Sequence, residues 1–429
     1  MSLQKIKLFL QFYYLSAKHN VQQGLDRVSS YIHRINYRPH PSPRQVLVLG
    51  GSFAGSHVAQ RLAHTLPSGW MVTLLEKNSH FHYAFAFPRL AVLGGRESQA
   101  FIPYDRLAGS APPGIFQHVQ GEAKTVNLDE NHVTLTDGNI VPYDYLVIAT
   151  GAAQPAPTRL RSVSREQATA ELRECQRQIR DAERIAVIGG GAAGIELVTE
   201  IKEEYGRKHV TLIHSRDQLL PRFGPKIHEY VMADLQKRGV EILLRERPEI
   251  PRSALGEAQG PMVLTMADGS KRHFDLVIQC TGLRPNSKFM LPHAANSLAA
   301  NGEIIVKPTL QVGIQESSSS RSGQDLLHHG RIFALGDVAR TGGPKQGRAC
   351  MLQGDITVKN ILAMIRGSPT LKEYNPHPFE GALQLTMGKK HQVMYLQMPG
   401  YEFLQPMQQS DEDLGAARMW KKLNAKYVE

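Results

Sequence analysis

Apolar residues along this chain gather in short unbroken runs. The clearest are 46–49, 71–75, 143–148, 184–188, 209–213, 240–244, 274–278 and 331–335. A run of that length, rich in Val, Ile and Leu and stopped by Gly or polar residues, predicts a strand buried on both faces, as in a parallel sheet. Between these runs, 56–63, 195–205 and 226–238 read as helices, and the highly charged 164–183 reads as a helix with a solvated face. Alternation, the mark of a half-exposed antiparallel strand, is confined to three places. These are 132–135 before Asp137-Gly138, the pair 262–266 and 272–280 around Asp268-Gly269, and 382–387 with 393–397 around Gly388-Lys389-Lys390. The expected class is α/β.

The turns after the runs are as informative as the runs themselves. After 46–49 comes Gly50-Gly51-Ser52-Phe53-Ala54-Gly55, then a helix, then a second strand ending in Glu76. Glycines permit a tight turn and a close backbone approach. A helix N-terminus offers free N–H groups and a positive dipole end to a pyrophosphate. Glu76 stands roughly where an acid is expected to take ribose hydroxyls. Ser52 departs from the second glycine of G-x-G-x-x-G; a side chain there narrows the approach to the phosphate, and serine is the mildest replacement. The pattern then recurs intact: 184–188, Gly189, Gly191 and Gly194, a helix, and the strand 209–213. The acid is missing here, replaced by His214-Ser215-Arg216. Loss of the acid and gain of a base at Arg216 predicts tolerance of a 2′-phosphate, hence use of NADPH as well as NADH without a firm preference. Two such units make the fold two Rossmann-like dinucleotide-binding domains.

Further candidates sit at strand ends. Ala149-Thr150-Gly151 and Cys280-Thr281-Gly282 are small-residue turns that let the chain pass close to a nucleotide. Gly336-Asp337 ends 331–335 and places a carboxylate where ribityl hydroxyls can be held. Glu196, on the first turn of the second helix, reads either as a surface carboxylate complementing the dipole or as a group beside the nicotinamide. The aromatic stretch 80–89, with Pro88 and Arg89 at a turn, reads equally as an apolar wall beside a flat ligand or as a core cluster. His80 and His82 lack a third ligand pattern, so no metal is expected.

Length allows two or three domains, and 41% hydrophobic content supports real cores. The net charge of +11 biases the protein toward anions: nucleotides, acidic lipid or nucleic acid. Cys175, Cys280 and Cys350 are too scattered for a zinc signature or a disulfide framework, and a reducing compartment is the simplest context. No apolar run approaches the roughly 18–20 residues of a spanning helix. Before Gly50 the one acid is Asp26, against Lys5, Lys7, Lys18, Arg27, Arg34, Arg38 and Arg44. With Leu3, Ile6, Leu10 and Tyr13 at helical spacing, this leader reads as an interfacial membrane helix or a mitochondrial transit segment, ahead of a helix packed on the body. The expected location is mitochondrial or membrane-associated, otherwise cytoplasmic. Pro41-Ser42-Pro43 reads as a linker, 315–324 as a mobile loop, and the end at Met419-Trp420-Lys421-Lys422 as either a membrane or partner contact or a packed terminus.

The ordered set G-G-S-F-A-G, A-T-G, G-G-G-A-A-G-I-E, T-G-L-R-P-N and F-A-L-G-D resembles the pyridine nucleotide oxidoreductases, flavoproteins with two dinucleotide-binding domains. Disulfide reductases of that kind carry C-x-x-x-x-C soon after the first acid; no cysteine precedes Cys175, which excludes that chemistry. E-L-V-T-E-I-K-E-E-Y, V-T-L-I-H-S, Pro344-Lys345 and L-T-M-G-K are similar to the apoptosis-inducing-factor-like, ferroptosis-suppressor-type NAD(P)H:quinone oxidoreductases. The resemblance implies non-covalent FAD at Gly50, Gly51, Gly55, Glu76 and Asp337, and NAD(P)H at Gly189, Gly191 and Gly194 with Glu196 near the nicotinamide. It also implies Lys345 near the isoalloxazine and a quinone or similar acceptor in an apolar cleft. The expected division is a leader 1–44, FAD domain 45–155 and 275–366, an inserted NAD(P)H domain 156–274, and a C-terminal segment 367–429. Two other functions fit the same residues: a tailoring oxidoreductase for a phenolic or quinoid metabolite, and a basic redox-sensing flavoprotein on membrane or nucleic acid. No base-recognition motif is visible, so nucleic acid is not an expected partner.

Overall fold

The structure, a computed structural model, describes residues 28–250, 261–315, 326–409 and 411–428. The apolar pattern of 3–14 and all but Gln315 of the expected loop 315–324 lie outside them. In chain order the elements that place the site are α1 (28–36), β1 (Arg44–Leu49), α2 (Phe53–Ala63), β2 (Trp70–Glu76), β3 (Phe116–Gln120), β4 (Tyr145–Ile148) and α3 (Arg165–Asp181). They continue with β5 (Arg184–Ile188), α4 (Ala192–Glu204), β6 (His209–His214), α5 (Pro225–Lys237), β7 (Glu241–Leu244), β8 (Leu276–Gln279), β9 (Ile332–Ala334) and α6 (Gly347–Ile365). The chain closes with β10 (Leu383–Thr386), β11 (His391–Met398), β12 (Tyr401–Gln408) and α7 (Ala416–Lys422).

The strands form two parallel sheets of the same plan. The first runs β9-β4-β1-β2-β3 and the second β8-β5-β6-β7. Alternate residues of one strand feed opposite cores. Val46 and Val48 face one cluster, Leu47 and Leu49 the other; Ile185 and Val187 are divided in the same way from Ala186 and Ile188. That two-sided burial is why these strands read as continuous apolar runs. In each sheet the order reverses beside the first strand, between β1 and β4 and between β5 and β8. Such a switch point opens a crevice at the carboxyl ends of the strands, where ligands bind.

The second unit is inserted in the first. Its entry, Ala152–Ala153, pairs antiparallel with its exit, Arg284–Pro285. Thr150 Oγ1 donates to the Asn286 carbonyl at 2.7 Å, and Asn286 Nδ2 donates back to the Thr150 carbonyl at 2.9 Å. β8 belongs to the second sheet, so that unit runs past the expected boundary at 274. The second core needs the buried run Leu276–Gln279 to cover the free edge of β5. The three-stranded antiparallel sheet β10-β11-β12 lies on the second unit: Arg238 Nη2 donates to the Met387 carbonyl at 2.9 Å, and Lys389 pairs with Glu204 at 2.6 Å. The terminal α7 returns to the first unit. Trp420 is buried there and its Nε1 donates to the Gln99 carbonyl at 2.8 Å, so the packed-terminus reading holds for that side chain.

Candidate active site

A cleft of about 2920 Å³ runs along both switch points. It is lined by Gly50, Ser52, Phe53, Ala54 and Glu76 of the first turn and by Ala149, Thr150 and Gly151 after β4. From the second unit come Gly189, Gly191, Glu196, His214, Arg216 and Gly282; Gly336, Asp337 and Lys345 complete it.

The two glycine turns are built alike. Gly50 and Gly189 have φ of +94° and +128°, and a Cβ on either would stand 2.5 Å from a carbonyl oxygen at the end of the neighbouring strand, Ala149 or Cys280. Gly55 and Gly194 do not line the cleft; a Cβ on either would fall on the carbonyl oxygen of Gly50 or Gly189. They let helices α2 and α4 seat directly on their turns, with their N-termini aimed into the crevice. The position between them is open: a Cβ at Gly191 would meet nothing within 4 Å. Ser52, its counterpart, sits at the N-cap of α2 with extended backbone (φ −74°). Serine is therefore accommodated there with less crowding than the fingerprint alone implies.

Behind the first turn, Glu76 is buried. Its Oε2 accepts the Gly51 N–H and its Oε1 the Asn78 N–H at 2.9 Å. Burial raises its pKa, while those two N–H groups oppose the rise. Tyr104 donates to the Gly51 carbonyl at 3.0 Å from the other side. In the second unit His214 occupies the place of Glu76: its Nδ1 accepts the Gly190 N–H at 3.1 Å.

Glu196 projects from the second turn of α4, not the first, because the helix starts at Ala192. Its Oε1 accepts the Thr386 N–H of β10 at 3.3 Å, and burial pushes its pKa up to about 7. The aromatic stretch divides between its two readings. Phe81 and Phe87 are core, whereas His82, Tyr83 and Phe85 line the cleft; Phe85 is 54% exposed and packs on Phe53 at 4.8 Å.

Two expected site residues are placed differently. Arg89 is buried away from the cleft. Its Nε pairs with Glu200 of α4 at 2.7 Å and its Nη2 donates to the Gly388 carbonyl at 2.8 Å. It joins the two units and the C-terminal sheet, and the carboxylate that draws it inward lies 111 positions away, beyond the reach of local pattern. Lys345 lines the cleft, but its ammonium pairs with Glu303 at 2.9 Å and donates to the carbonyls of Asp337 at 3.2 Å and Ala339. It clamps the loop that carries Asp337. Sequence reading missed Arg159, just beyond the Pro155–Pro157 crossover; it lines the cleft, feels the charge of Asp337, and burial lowers its pKa. It also missed Gln353, buried on α6, whose Oε1 takes the Gly336 N–H at 2.9 Å. Neither has a periodic or motif signal.

Two glycine cradles at two switch points, each with a helix N-terminus behind it, define a protein that binds two dinucleotides. The residues fit that demand: a side chain at Gly50 or Gly189 would strike the neighbouring strand end, and one at Gly55 or Gly194 would push the helix off its turn. Comparison with known proteins names the family. Residues 44–354 match the pyridine nucleotide-disulphide oxidoreductase family, and the chain belongs to it. It is similar to Fe-regulated protein 8 of Mycosarcoma maydis, 34% identical over 400 residues, covering 88% of this chain and 94% of that protein. It is also similar to ferroptosis suppressor protein 1 of Mus musculus, 32% identical over 357 residues, covering 81% and 87%. Among solved structures it superposes on the sulfide:quinone oxidoreductase of Aquifex aeolicus with a TM-score of 0.66 at 18% identity, covering 90% and 93%. This protein is an NAD(P)H-dependent oxidoreductase with FAD as its second dinucleotide. Its three cysteines are free and buried.

Proposed function

We propose that the protein transfers reducing equivalents from NAD(P)H, through FAD, to a quinone-type acceptor. Bound FAD supplies the two-electron chemistry. The residues supply position. Glu76, Gly51 and Tyr104 brace the first phosphate turn, Arg159 adds a cation beside Asp337, and Lys345 with Glu303 fixes the loop on which Asp337 stands. Glu196 and Thr386 meet where α4 abuts the C-terminal sheet, holding a carboxyl group that exchanges its proton near neutrality at the coenzyme end of the cleft. The observation that carries the acceptor is the apolar lining of the cleft: Phe53 packs on Phe85, and Met351, Leu414 and Met419 line the same cleft, a setting that suits a flat, apolar ring. The likeness to ferroptosis-suppressor-type proteins supports the same reading.

Anaerobic stopped-flow reduction by NADH or NADPH, with subsequent mixing with a short-chain ubiquinone, tests it. Fast flavin bleaching with fast quinone-dependent recovery is expected. Bleaching without recovery would move the acceptor to another class of small molecule.

The acceptor's solubility calls for a membrane surface, and α1 supports one. Val28, Tyr31, Ile32 and Ile35 form a stripe at helical spacing that is exposed, with Tyr31 at 69%, beside the exposed Arg34 and Arg38. No helix among the described residues is long and apolar enough to cross a membrane. A face of this kind lies in the plane of an anionic surface. Co-sedimentation with vesicles containing phosphatidylserine, lost on Tyr31→Ser with Ile32→Ser, is the expected result.

A further inference from the structure

An ammonium group stands in the apolar lining of the cleft. Helix α7 buries Ala416, Met419, Trp420 and Leu423 at helical spacing and leaves Lys421 exposed. Lys422, on the flank of that buried face, is half-buried and turns inward. Its Nζ donates to Sδ of Met351 on α6 at 2.8 Å, and both residues line the cleft with Cys350, Leu414 and Met419. The Lys422 carbonyl is taken by Nε2 of Gln60 on α2 at 3.1 Å, so backbone and ammonium are held by different helices.

A lysine is strongly hydrated and costly to bury without a partner. A thioether is a weak acceptor and satisfies one of the three N–H donors of an ammonium. Asp355, the carboxylate whose charge Lys422 feels, is claimed by α2: it faces His57 Nε2 at 2.9 Å and Arg61 at 3.4 Å. Burial lowers the Lys422 pKa, with Cys350 and Asp355 opposing the fall. Two N–H donors are left beside Met351, on the wall that suits the acceptor ring.

We propose that Lys422 is a catalytic residue of acceptor reduction: its ammonium donates a hydrogen bond to a carbonyl oxygen of the quinone-type acceptor and gives that oxygen a proton as the ring is reduced. This deepens the reading above and rests on it. The balance closes. NAD(P)H supplies two electrons and one proton, and Lys422 supplies the second proton, one N–H bond breaking as the O–H bond forms. The acceptor leaves as the hydroquinone, the coenzyme as NAD(P)+, and the neutral amine takes a proton back from water.

The test uses the FAD-loaded protein, reduced anaerobically by NADH or NADPH and then mixed with ubiquinone-1 or with ferricyanide, which takes electrons without a proton. Lys422→Met matches the methionines around it, and Lys422→Arg keeps the charge but does not release a proton. Reoxidation by ubiquinone-1 should slow about 100-fold or more in both variants, the range of general acid catalysis, while reoxidation by ferricyanide keeps its rate. Binding of ubiquinone-1 to the oxidised protein, read by tryptophan quenching, should weaken about ten-fold in Lys422→Met and hold in Lys422→Arg. Equal slowing with both oxidants would assign the effect to the flavin or the fold and overturn the proposal. A full ubiquinone rate in Lys422→Arg would overturn the proton transfer, and a full rate in Lys422→Met would remove Lys422 from the reaction. Reoxidation of the unaltered protein by ferricyanide but not by ubiquinone-1 would instead overturn the quinone reading on which the proposal rests.

Discussion

Replacing Glu196 by Gln should abolish a titration near pH 7 and change how stability depends on pH. The carboxyl lies on the second turn of α4 with its pKa pushed from 4.5 to about 7, first by burial and then by the neighbouring Glu200, while the Thr386 N–H opposes the rise. In the unfolded chain the same group ionises near its ordinary value. Between the two values the folded protein binds the proton that the unfolded chain has released, so stability falls as pH rises. The contribution is complete below about pH 4.5 and is lost by the time pH has risen through about 7. Each pH unit in that window carries about 1.4 kcal/mol, so about 3 kcal/mol separates the limits. Gln keeps an oxygen for the Thr386 N–H and never ionises. Relative to the unaltered protein, Glu196→Gln should therefore gain about 3 kcal/mol between pH 5 and pH 8 in denaturant unfolding. Infrared difference spectroscopy gives the site-specific check: a protonated-carboxyl band that disappears with a midpoint near 7 and is absent in the variant. A Glu196 that is already ionised at pH 5, with parallel stability curves for both proteins, would refute the reasoning.

The same geometry leads to three further outcomes. Gly55→Ala should yield protein that purifies without flavin, whereas Gly194→Ala should keep its flavin and bind NAD(P)H about 100-fold more weakly, through loss of about two charge-assisted bonds to the pyrophosphate; absorbance spectra and coenzyme titrations separate them. Arg89→Leu leaves Glu200 buried and unpaired and should cost about 3–5 kcal/mol in denaturant unfolding, with Arg89→Leu/Glu200→Leu recovering part of it. Trp420→Ala should cost about 3–5 kcal/mol and expose the C-terminal helix to limited proteolysis, since the ring is buried and its Nε1 holds the Gln99 carbonyl.

Both sheets and both glycine turns were legible because their signals are local. A strand buried on two faces, a glycine at positive φ and a helix start succeed one another within a few residues. Local pattern could not show how distant segments claim a side chain. Arg89 looked available for a ligand; Glu200 and the Gly388 carbonyl, brought in by the second unit and the C-terminal sheet, hold it. Lys345 lines the cleft, yet Glu303 draws its ammonium into an ion pair within the protein. The absence of an acid at position 214 was visible, but that His214 keeps the bond made by Glu76 emerges only when the turns are compared in three dimensions. Ser52 read as a flaw in the fingerprint because the fingerprint does not say which of its glycines is crowded.

The antiparallel contact between Ala152–Ala153 and Arg284–Pro285 has a consequence for how the chain assembles. The coenzyme unit departs and returns at one spot, so to the flavin unit it is topologically a hairpin whose tip happens to be a domain. If the inserted unit folds first, it brings those ends together, and the pairing of β4 with β9 then closes a loop of roughly 50 residues instead of roughly 180. The longest search left in this sheet is then the joining of β1 with β4, across the segment that holds α2, β2 and β3.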